Sequence, residues 1–166
     1  MEHNAQIARL LHTEHMEQIA STEKMETLLR SLKPGTVPSK GDPVMKALPD
    51  IIGSLEAEIN QHFVFEENVL FPRLAEMGEA NIGNFLKSEH DVIREVGGQV
   101  IALGKTALAE GFNPSSWADF YQNASELSEW VFQHVQKEEM GLLPMVDMLL
   151  EGDEDATLTE AYLASR

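Results

Sequence analysis

Clusters of glycine and proline divide the 166-residue chain into four long segments. Within each segment, apolar residues recur mostly at spacings of three and four, which is the period of an amphipathic helix, and few residues favour strands. The signals that end or start helices are Lys33-Pro34-Gly35, Asp42-Pro43, Met77-Gly78, Gly111, Asn113-Pro114 and Glu151-Gly152. The pattern therefore predicts an all-α protein with helices over about residues 4–32, 42–77, 80–110 and 113–151.

Four helices of this length, joined by short connections, suit an up-down-up-down antiparallel four-helix bundle. A chain of 166 residues is also close to the usual size of a single hydrophobic core. We expect the bundle to occupy residues 1–152. Residues 153–166 are acidic and then weakly amphipathic, so we expect them to form either a short helix or a C-terminal tail.

The charge of the chain excludes some classes of partner. It has 28 Asp and Glu against 12 Lys and Arg, a net charge of −16, whereas nucleic acids and anionic membranes are bound by clustered basic residues. We therefore expect no nucleic acid partner and no membrane partner. No signal-peptide pattern opens the sequence and no run of 18 apolar residues occurs, which predicts a cytoplasmic protein.

The chain contains six histidines and no cysteine, so any bound metal must be held by imidazole and carboxylate groups. Two segments repeat at an offset of 72 residues: HFVFEENVLFP begins at His62, and HVQKEEMGLLP begins at His134. In each segment a glutamate, Glu66 or Glu138, follows the histidine by four residues. Residues i and i+4 lie above one another on one face of a helix, so each imidazole and carboxylate can reach a common point. This is the spacing of a metal-chelating pair.

Both pairs lie on the apolar face of their helix. The apolar stripe of the second helix contains His62 and Glu66. That of the fourth helix contains His134 and Glu138. An unsatisfied polar group buried in a core costs roughly 1–3 kcal/mol, and a charge costs more. Two such pairs in one core therefore need a positive partner, which a pair of metal ions can supply.

The first and third helices each add one histidine to the set that faces the core. His15 lies on the apolar stripe of the first helix and His90 on that of the third. Four imidazoles and two carboxylates from four facing helices form a nearly complete ligand set for a dinuclear centre with bridging carboxylates. The predicted metal ligands are His15, His62, Glu66, His90, His134 and Glu138.

The remaining candidates lie away from these stripes. Glu67 and Glu139 point about 100° away from them, so we expect these two side chains to support the ligands or to face solvent. His12 lies at the edge of the first helix's stripe, and we expect it beside the ligands or at the surface rather than among them. His3 lies in a terminus that we expect to fray, and no role is predicted for it.

The two repeated segments resemble the hemerythrin-like, or HHE cation-binding, domain family, and the similarity extends over about residues 10–149. The resemblance implies an up-down-up-down four-helix bundle around a non-haem di-iron centre. Carried over residue by residue, it implies that His15, His62, His90 and His134 are terminal ligands to two iron ions, which Glu66 and Glu138 bridge. We place His15, His134 and Glu138 on one side of the centre and the other three ligands on the opposite side.

One position departs from the family pattern. Oxygen-carrying hemerythrins have a fifth histidine one turn after the third-helix ligand, where this sequence has Arg94. The resemblance therefore implies an additional open coordination position and argues against stable, reversible oxygen carriage. The guanidinium of Arg94 either binds an anion or pairs with Glu66 or Glu138 at the centre, or it extends outwards to a surface acid such as Glu95.

The leading functional hypothesis is a di-iron protein that binds O₂ or a related small ligand, such as NO or peroxide, for sensing, storage or detoxification. An alternative is an enzyme at the same site, either a di-iron peroxidase or oxidase or a protein that repairs iron centres. Family members of the repair kind usually carry a cysteine-containing N-terminal domain, and this sequence has no cysteine. A further alternative is a bundle that a metal stabilises or that stores metal. The sequence does not identify a protein or redox partner.

Overall fold

The computed structural model describes residues 2–166, which form five α-helices and no strand. Helix α1 is Gln6–Arg30, α3 is Ala80–Glu110 and α5 is Asp153–Ala164. Helix α2 consists of Pro43–Ala57, Phe63–Phe65 and Phe71–Glu76, joined by the π-helical turns Glu58–His62 and Glu66–Leu70. Helix α4 consists of Pro114–Lys137 and Leu143–Leu149, joined by the π-helical turn Glu138–Leu142. The prediction of an all-helical chain is confirmed.

Two of the long helices begin at caps that the sequence signals predict. The side chain of Asp42 accepts a hydrogen bond from the backbone N–H of Val44 at 2.9 Å, at the start of α2. At the start of α4, Asn113 and Ser116 form a capping box, in which each side chain accepts a hydrogen bond from the other residue's backbone N–H. A proline follows each cap in the first helical turn, where its missing N–H leaves no hydrogen bond unmade.

Helix α1 has no capping side chain of its own, and α5 supplies one. The carboxylate of Asp155 accepts hydrogen bonds from the backbone N–H groups of Gln6 and Ile7, at 2.8 and 2.9 Å. Leu158 and Tyr162 of the same helix are buried. The last helix is therefore docked against the start of α1.

The four long helices contact one another in a closed order: α1 contacts α2 and α4, and α3 contacts the same two helices. Their buried side chains form two apolar clusters, one with Met25, Leu48 and Phe120, the other with Leu11 and Leu74. Along each long helix, the predicted metal ligands stand near the boundary between these clusters. No helix in the described part of the chain has the length and hydropathy that crossing a membrane requires.

Two glycines in α3 allow a close approach to α2. A Cβ atom at Gly83 would lie 2.9 Å from Cβ of Phe71, and one at Gly104 would lie 2.9 Å from Cδ1 of Ile52. The first clash is the more severe, because Cβ of Phe71 is fixed to the backbone of α2 and cannot rotate away. Glycine at these positions therefore sets the distance between α2 and α3, both of which carry ligand histidines.

We predict that Gly83→Ala lowers the free energy of unfolding by about 1–3 kcal/mol, because the added methyl group overpacks the contact with Phe71. Gly98→Ala is the matched control, since Gly98 is exposed on the same helix and a Cβ there meets no atom of residues 2–166 within 4 Å. The control should raise the free energy of unfolding by up to about 1 kcal/mol, the helix-propensity gain. Urea unfolding followed by circular dichroism measures both changes, and equal effects of the two substitutions would contradict this interpretation.

Candidate metal centre

All six side chains predicted as metal ligands meet in the interior of the protein. Each long helix supplies one histidine, and α2 and α4 each add a glutamate. The residues are His15 on α1, His62 and Glu66 on α2, His90 on α3, and His134 and Glu138 on α4. Each of these residues is at most 3% exposed, so the centre is sealed from bulk water.

The two glutamates occupy equivalent places in the repeated segments. Glu66 begins one π-helical turn and Glu138 begins another. In such a turn the backbone N–H bonds to the carbonyl five residues earlier instead of four. Pro72 and Pro144 follow these turns closely, and a proline has no N–H and displaces the carbonyl four residues before it. A proline therefore follows each of the two wide turns that carry the carboxylates, and its missing N–H favours the wider turn.

The six candidate ligands form two groups that share both glutamates. The first group is His15, His62, Glu66 and Glu138, and the second is Glu66, His90, His134 and Glu138. Within each group the ligand atoms all lie within 4.8 Å of one another. The two carboxylates therefore stand between two pairs of histidines, as bridging ligands would. This grouping corrects the predicted division, which placed His15 and His134 on the same side.

Each of the four candidate ligand histidines directs its Nδ1 atom to a glutamate on a neighbouring helix. The pairs and their Nδ1–O distances are His62 with Glu14 (2.6 Å), His90 with Glu67 (3.1 Å), His134 with Glu89 (3.0 Å) and His15 with Glu139 (2.6 Å). Each helix thus supplies the glutamate that contacts the histidine of the next helix, and α4 supplies the one that contacts the histidine of α1. An outer glutamate holds the imidazole proton on Nδ1 and leaves the Nε2 lone pair free for a metal ion.

Each of these four outer glutamates is paired in turn with a basic side chain. The pairs are Glu14 with Arg166, Glu67 with Arg94, Glu89 with Lys137 and Glu139 with His12. Burial alone would raise the pKa of Glu14, but its contacts with His62 and Arg166 outweigh burial and lower that pKa to about 2. The pKa values of the other three are also below the ordinary value, because hydrogen bonds from their partners outweigh burial. All four are therefore charged acceptors near neutral pH.

Arg94 belongs to this outer layer. Its guanidinium donates hydrogen bonds to Glu67, the acid that holds Nδ1 of His90, and to Asp91 at 3.3 Å. It also lies 5.5 Å from the centre of the Phe63 ring. The inner glutamates Glu66 and Glu138 are not among the acids that it contacts, and the surface acid that it reaches is Asp91 rather than Glu95. At the position of the fifth histidine, the chain therefore has a cation that holds Glu67 in place beside His90.

Six inner atoms of the centre have no hydrogen-bond partner within residues 2–166, namely Nε2 of His15, Nε2 of His62 and the four carboxylate oxygens of Glu66 and Glu138. Nε2 of His15 lies 2.6 Å from Glu138, and Nε2 of His62 lies 2.9 Å from Glu66. With the imidazole protons on Nδ1, these nitrogens and carboxylates face one another as acceptors, and within residues 2–166 none of the six atoms has a hydrogen-bond partner. Each unsatisfied buried polar atom costs roughly 1–3 kcal/mol. Imidazole nitrogen and carboxylate oxygen are donors that suit iron and other first-row divalent metals, so the residues fit a pair of metal ions.

Protons are the other source of positive charge for this centre. Burial alone would lower the pKa values of His15 and His134, but the negative charge of Glu138 outweighs burial and raises them to about 9 and about 10. Burial would raise the pKa of Glu138, yet the two histidines hold it well below its ordinary value. The metal-free centre therefore binds protons where metal ions would bind, and metal ions must displace them.

A polar cavity of about 100 Å³ lies beside the centre, between α1 and α2. His62 lines it together with Glu58, a buried residue one turn earlier on α2. Burial raises the pKa of Glu58, the charge of His62 opposes the rise, and the charges of Glu138 and Glu66 add to it. Glu58 therefore takes up a proton more readily than an ordinary glutamate does, at a cavity next to a ligand.

Three acids at the site, Glu14, Glu58 and Glu89, are not predicted by the sequence patterns above. Glu14 and Glu89 each immediately precede a ligand histidine, and Glu58 stands four residues before one. These spacings are weak evidence for a role at the site, since 28 of the 166 residues are acidic. Glu67 and Glu139, by contrast, contact the Nδ1 atoms of His90 and His15, which is one of the two positions that the stripe geometry allowed.

The two histidines outside the ligand set lie close together near the start of α1. His12 is part-exposed and its Nδ1 lies 2.8 Å from Glu139. His3 is buried, and its Nδ1 lies 2.7 Å from Asp147 of α4. The expectation that the terminus around His3 frays was wrong, because the carboxylate of Asp147 also accepts a hydrogen bond from the backbone N–H of Ala5 and anchors the segment.

Comparison with known proteins gives an independent indication of the family. The model of the hemerythrin HHE cation binding domain matches residues 6–146. The chain is also 25% identical over 136 residues to the iron-sulfur cluster repair protein YtfE of Salmonella typhimurium. It is 26% identical over 140 residues to the YtfE proteins of Escherichia coli O1:K1 and Escherichia fergusonii. Each match covers 80% of this chain and 60% of the relative, so the chain spans about three fifths of the length of these relatives.

We predict that the stability of the metal-free protein falls as the pH rises from about 6.5 to about 10. The pKa of His15 rises from 6.5 to about 9 on folding, and that of His134 rises to about 10, so the folded state binds more protons over this range. This stabilisation is complete below pH 6.5 and is lost as the pH passes the folded pKa values. Urea unfolding of chelator-treated protein across the range measures it, with metal-filled protein as the control. A free energy of unfolding that rises with pH in the metal-free protein would contradict the assignment.

Proposed function

The chain belongs to the family of hemerythrin HHE cation binding domains, and we propose that it holds two iron ions in a non-haem centre bridged by Glu66 and Glu138. One observation carries this proposal: two pairs of buried histidines share the same two carboxylates, whose oxygens have no hydrogen-bond partner in residues 2–166. Two cations placed on either side of these carboxylates would satisfy all of the inner atoms together. The iron-related names of the YtfE relatives support iron as the metal.

The proposed function is the binding of O₂ or a related small ligand, such as NO or peroxide, for sensing, storage or detoxification. Each ion position is offered two imidazoles and two shared carboxylates, and non-haem iron sites with few protein ligands keep positions open for small molecules. Iron in such a centre supplies the redox chemistry and the binding position. The cavity of about 100 Å³ next to His62 is far smaller than the roughly 300–1,000 Å³ of pockets for larger organic ligands, which supports a ligand of a few atoms.

The proposal includes the up-down-up-down direction of the four long helices over residues 1–152, with residues 153–166 added at the end. The closed order of contacts from α1 to α4 supports this arrangement. So do the short connections, residues 77–79 between α2 and α3 and residues 111–113 between α3 and α4. The absence of nucleic acid and membrane partners remains part of the proposal on the strength of the net charge of −16. A cytoplasmic location also remains a proposal.

A second candidate is a repair-type function, in which the chain delivers iron to damaged iron centres. The similarity to proteins named for iron–sulfur cluster repair favours it. An enzymatic form of the first candidate, in which the centre reduces peroxide, would use Glu58, whose pKa burial raises, as a proton donor beside the cavity. The candidates differ in what happens to the iron, because a repair function requires iron to leave the protein and the others require it to stay.

We predict that wild-type protein reconstituted anaerobically with ferrous iron holds about two irons per chain and develops a visible absorption band with O₂ or NO. Glu138→Gln should lower the affinity for both iron ions about 10–100-fold, because both ligand groups share Glu138. His15→Ala should reduce the iron content to about one ion per chain, because His15 belongs to one group only. Glu95→Gln, an exposed acid on α3, is the control and should retain two. Elemental analysis and absorption spectra measure these results.

Two outcomes of this experiment would count against the proposal, and a second experiment separates small-ligand binding from repair. Wild-type protein with well under two irons and no absorption band would overturn it, as would full iron retention in Glu138→Gln. Iron-loaded protein can also be mixed with a metal-free iron–sulfur protein and sulfide. Iron that stays with the chain supports small-ligand binding, and iron that moves to the acceptor faster than it leaves to a chelator supports repair.

A further inference from the structure

The four outer glutamates are not neutralised in the same way. Glu14, Glu67 and Glu89 are paired with side chains that carry a permanent positive charge, namely Arg166, Arg94 and Lys137. Glu139 is paired with His12, whose imidazole carries no permanent charge. The fourth outer position is therefore the one place in the ring where positive charge can be supplied from outside the chain.

A cluster of metal-ligating residues lies at this fourth position. His3, His12 and Glu139 each offer a ligand atom, and these atoms lie within 4.8 Å of one another. The Nδ1 atom of His3 contacts the carboxylate of Asp147 at 2.7 Å, which leaves Nε2 as the nitrogen free to bind an ion. This repeats the support that the outer glutamates give to the four inner histidines.

The cluster is also accessible. A cavity of about 360 Å³ is lined by His3, His12, Glu139, Met140 and Pro144. The side chain of His12 is 39% exposed, whereas His3 is buried and held in place. An ion from solvent can therefore reach a ligand set of which one member is already fixed.

We propose that His3, His12 and Glu139 form an outer binding site for a divalent transition metal ion, separate from the two inner positions. Two imidazoles and a carboxylate are a donor set for Zn²⁺ or Fe²⁺, with water in the remaining position. The ion neutralises Glu139 as Arg and Lys neutralise the other three outer glutamates. Because the other oxygen of Glu139 contacts Nδ1 of His15 at 2.6 Å, a single carboxylate links the outer ion to the inner centre.

Equilibrium dialysis of iron-loaded protein against Zn²⁺, followed by elemental analysis, tests this site. Wild-type protein should bind about one zinc ion per chain with its iron content unchanged. His12→Ala and His3→Ala should each lower the affinity for zinc at least about tenfold, while the inner iron content stays the same. Met140→Ala is the matched control, because this exposed methionine lines the same cavity without offering a nitrogen or oxygen ligand, and it should bind zinc as the wild type does.

Iron-loaded wild-type protein that binds no zinc would overturn the proposal. Zinc binding that is equal in the wild type and both histidine variants would overturn it as well, since the ion would then be held elsewhere on the acidic surface. His12→Asn provides a second variant at a part-exposed position, with circular dichroism to check folding. A further outcome is protein that fails to hold iron and still binds zinc in a way that depends on His3 and His12. That result would support the outer site, while the failure to hold iron would count against the proposed di-iron function.

Discussion

The ring of four histidine–glutamate pairs is the interaction on which the rest of the structure depends. A buried neutral imidazole can offer Nε2 to a metal ion only if its proton stays on Nδ1, and each outer glutamate holds it there. Because each glutamate comes from a neighbouring helix, the packing of the helices determines how the histidine side chains are oriented. Every long helix carries one histidine and one glutamate of the ring, so a rotation of any helix would break two pairs together.

Positive charge is the second constraint on this centre. Glu66 and Glu138 are fully buried between four imidazoles and need a cation on either side. Protons on the histidines meet this need in the metal-free protein, as the raised pKa values of His15 and His134 show. Metal ions must displace those protons, which links metal affinity, pH and folding stability. Three of the four outer glutamates have an arginine or lysine partner, so the demand for positive charge is greatest at the inner atoms.

Spacing within a single helix was sufficient to predict the helices and to bring together the six candidate ligands, because turn residues and the i, i+4 repeat act locally. Contacts between helices could not be predicted in the same way. The grouping of His15 with His62 depends on how α1 and α2 rotate and slide against each other, which neither repeat contains. The anchoring of His3 depends on Asp147, which lies 144 residues further along the chain. The contact between Arg94 and Glu67 was missed for the same reason, since Glu67 lies on another helix.

Diffraction from crystals of the iron-loaded protein, measured at the iron absorption edge, tests the central claim most directly. We expect two anomalous peaks, one on either side of the carboxylates of Glu66 and Glu138. Each peak should be contacted by the Nε2 atoms of two histidines, with the Nδ1 atoms still bonded to the outer glutamates. A single peak between the carboxylates, or iron bound through Nδ1, would contradict a dinuclear centre held by the ring.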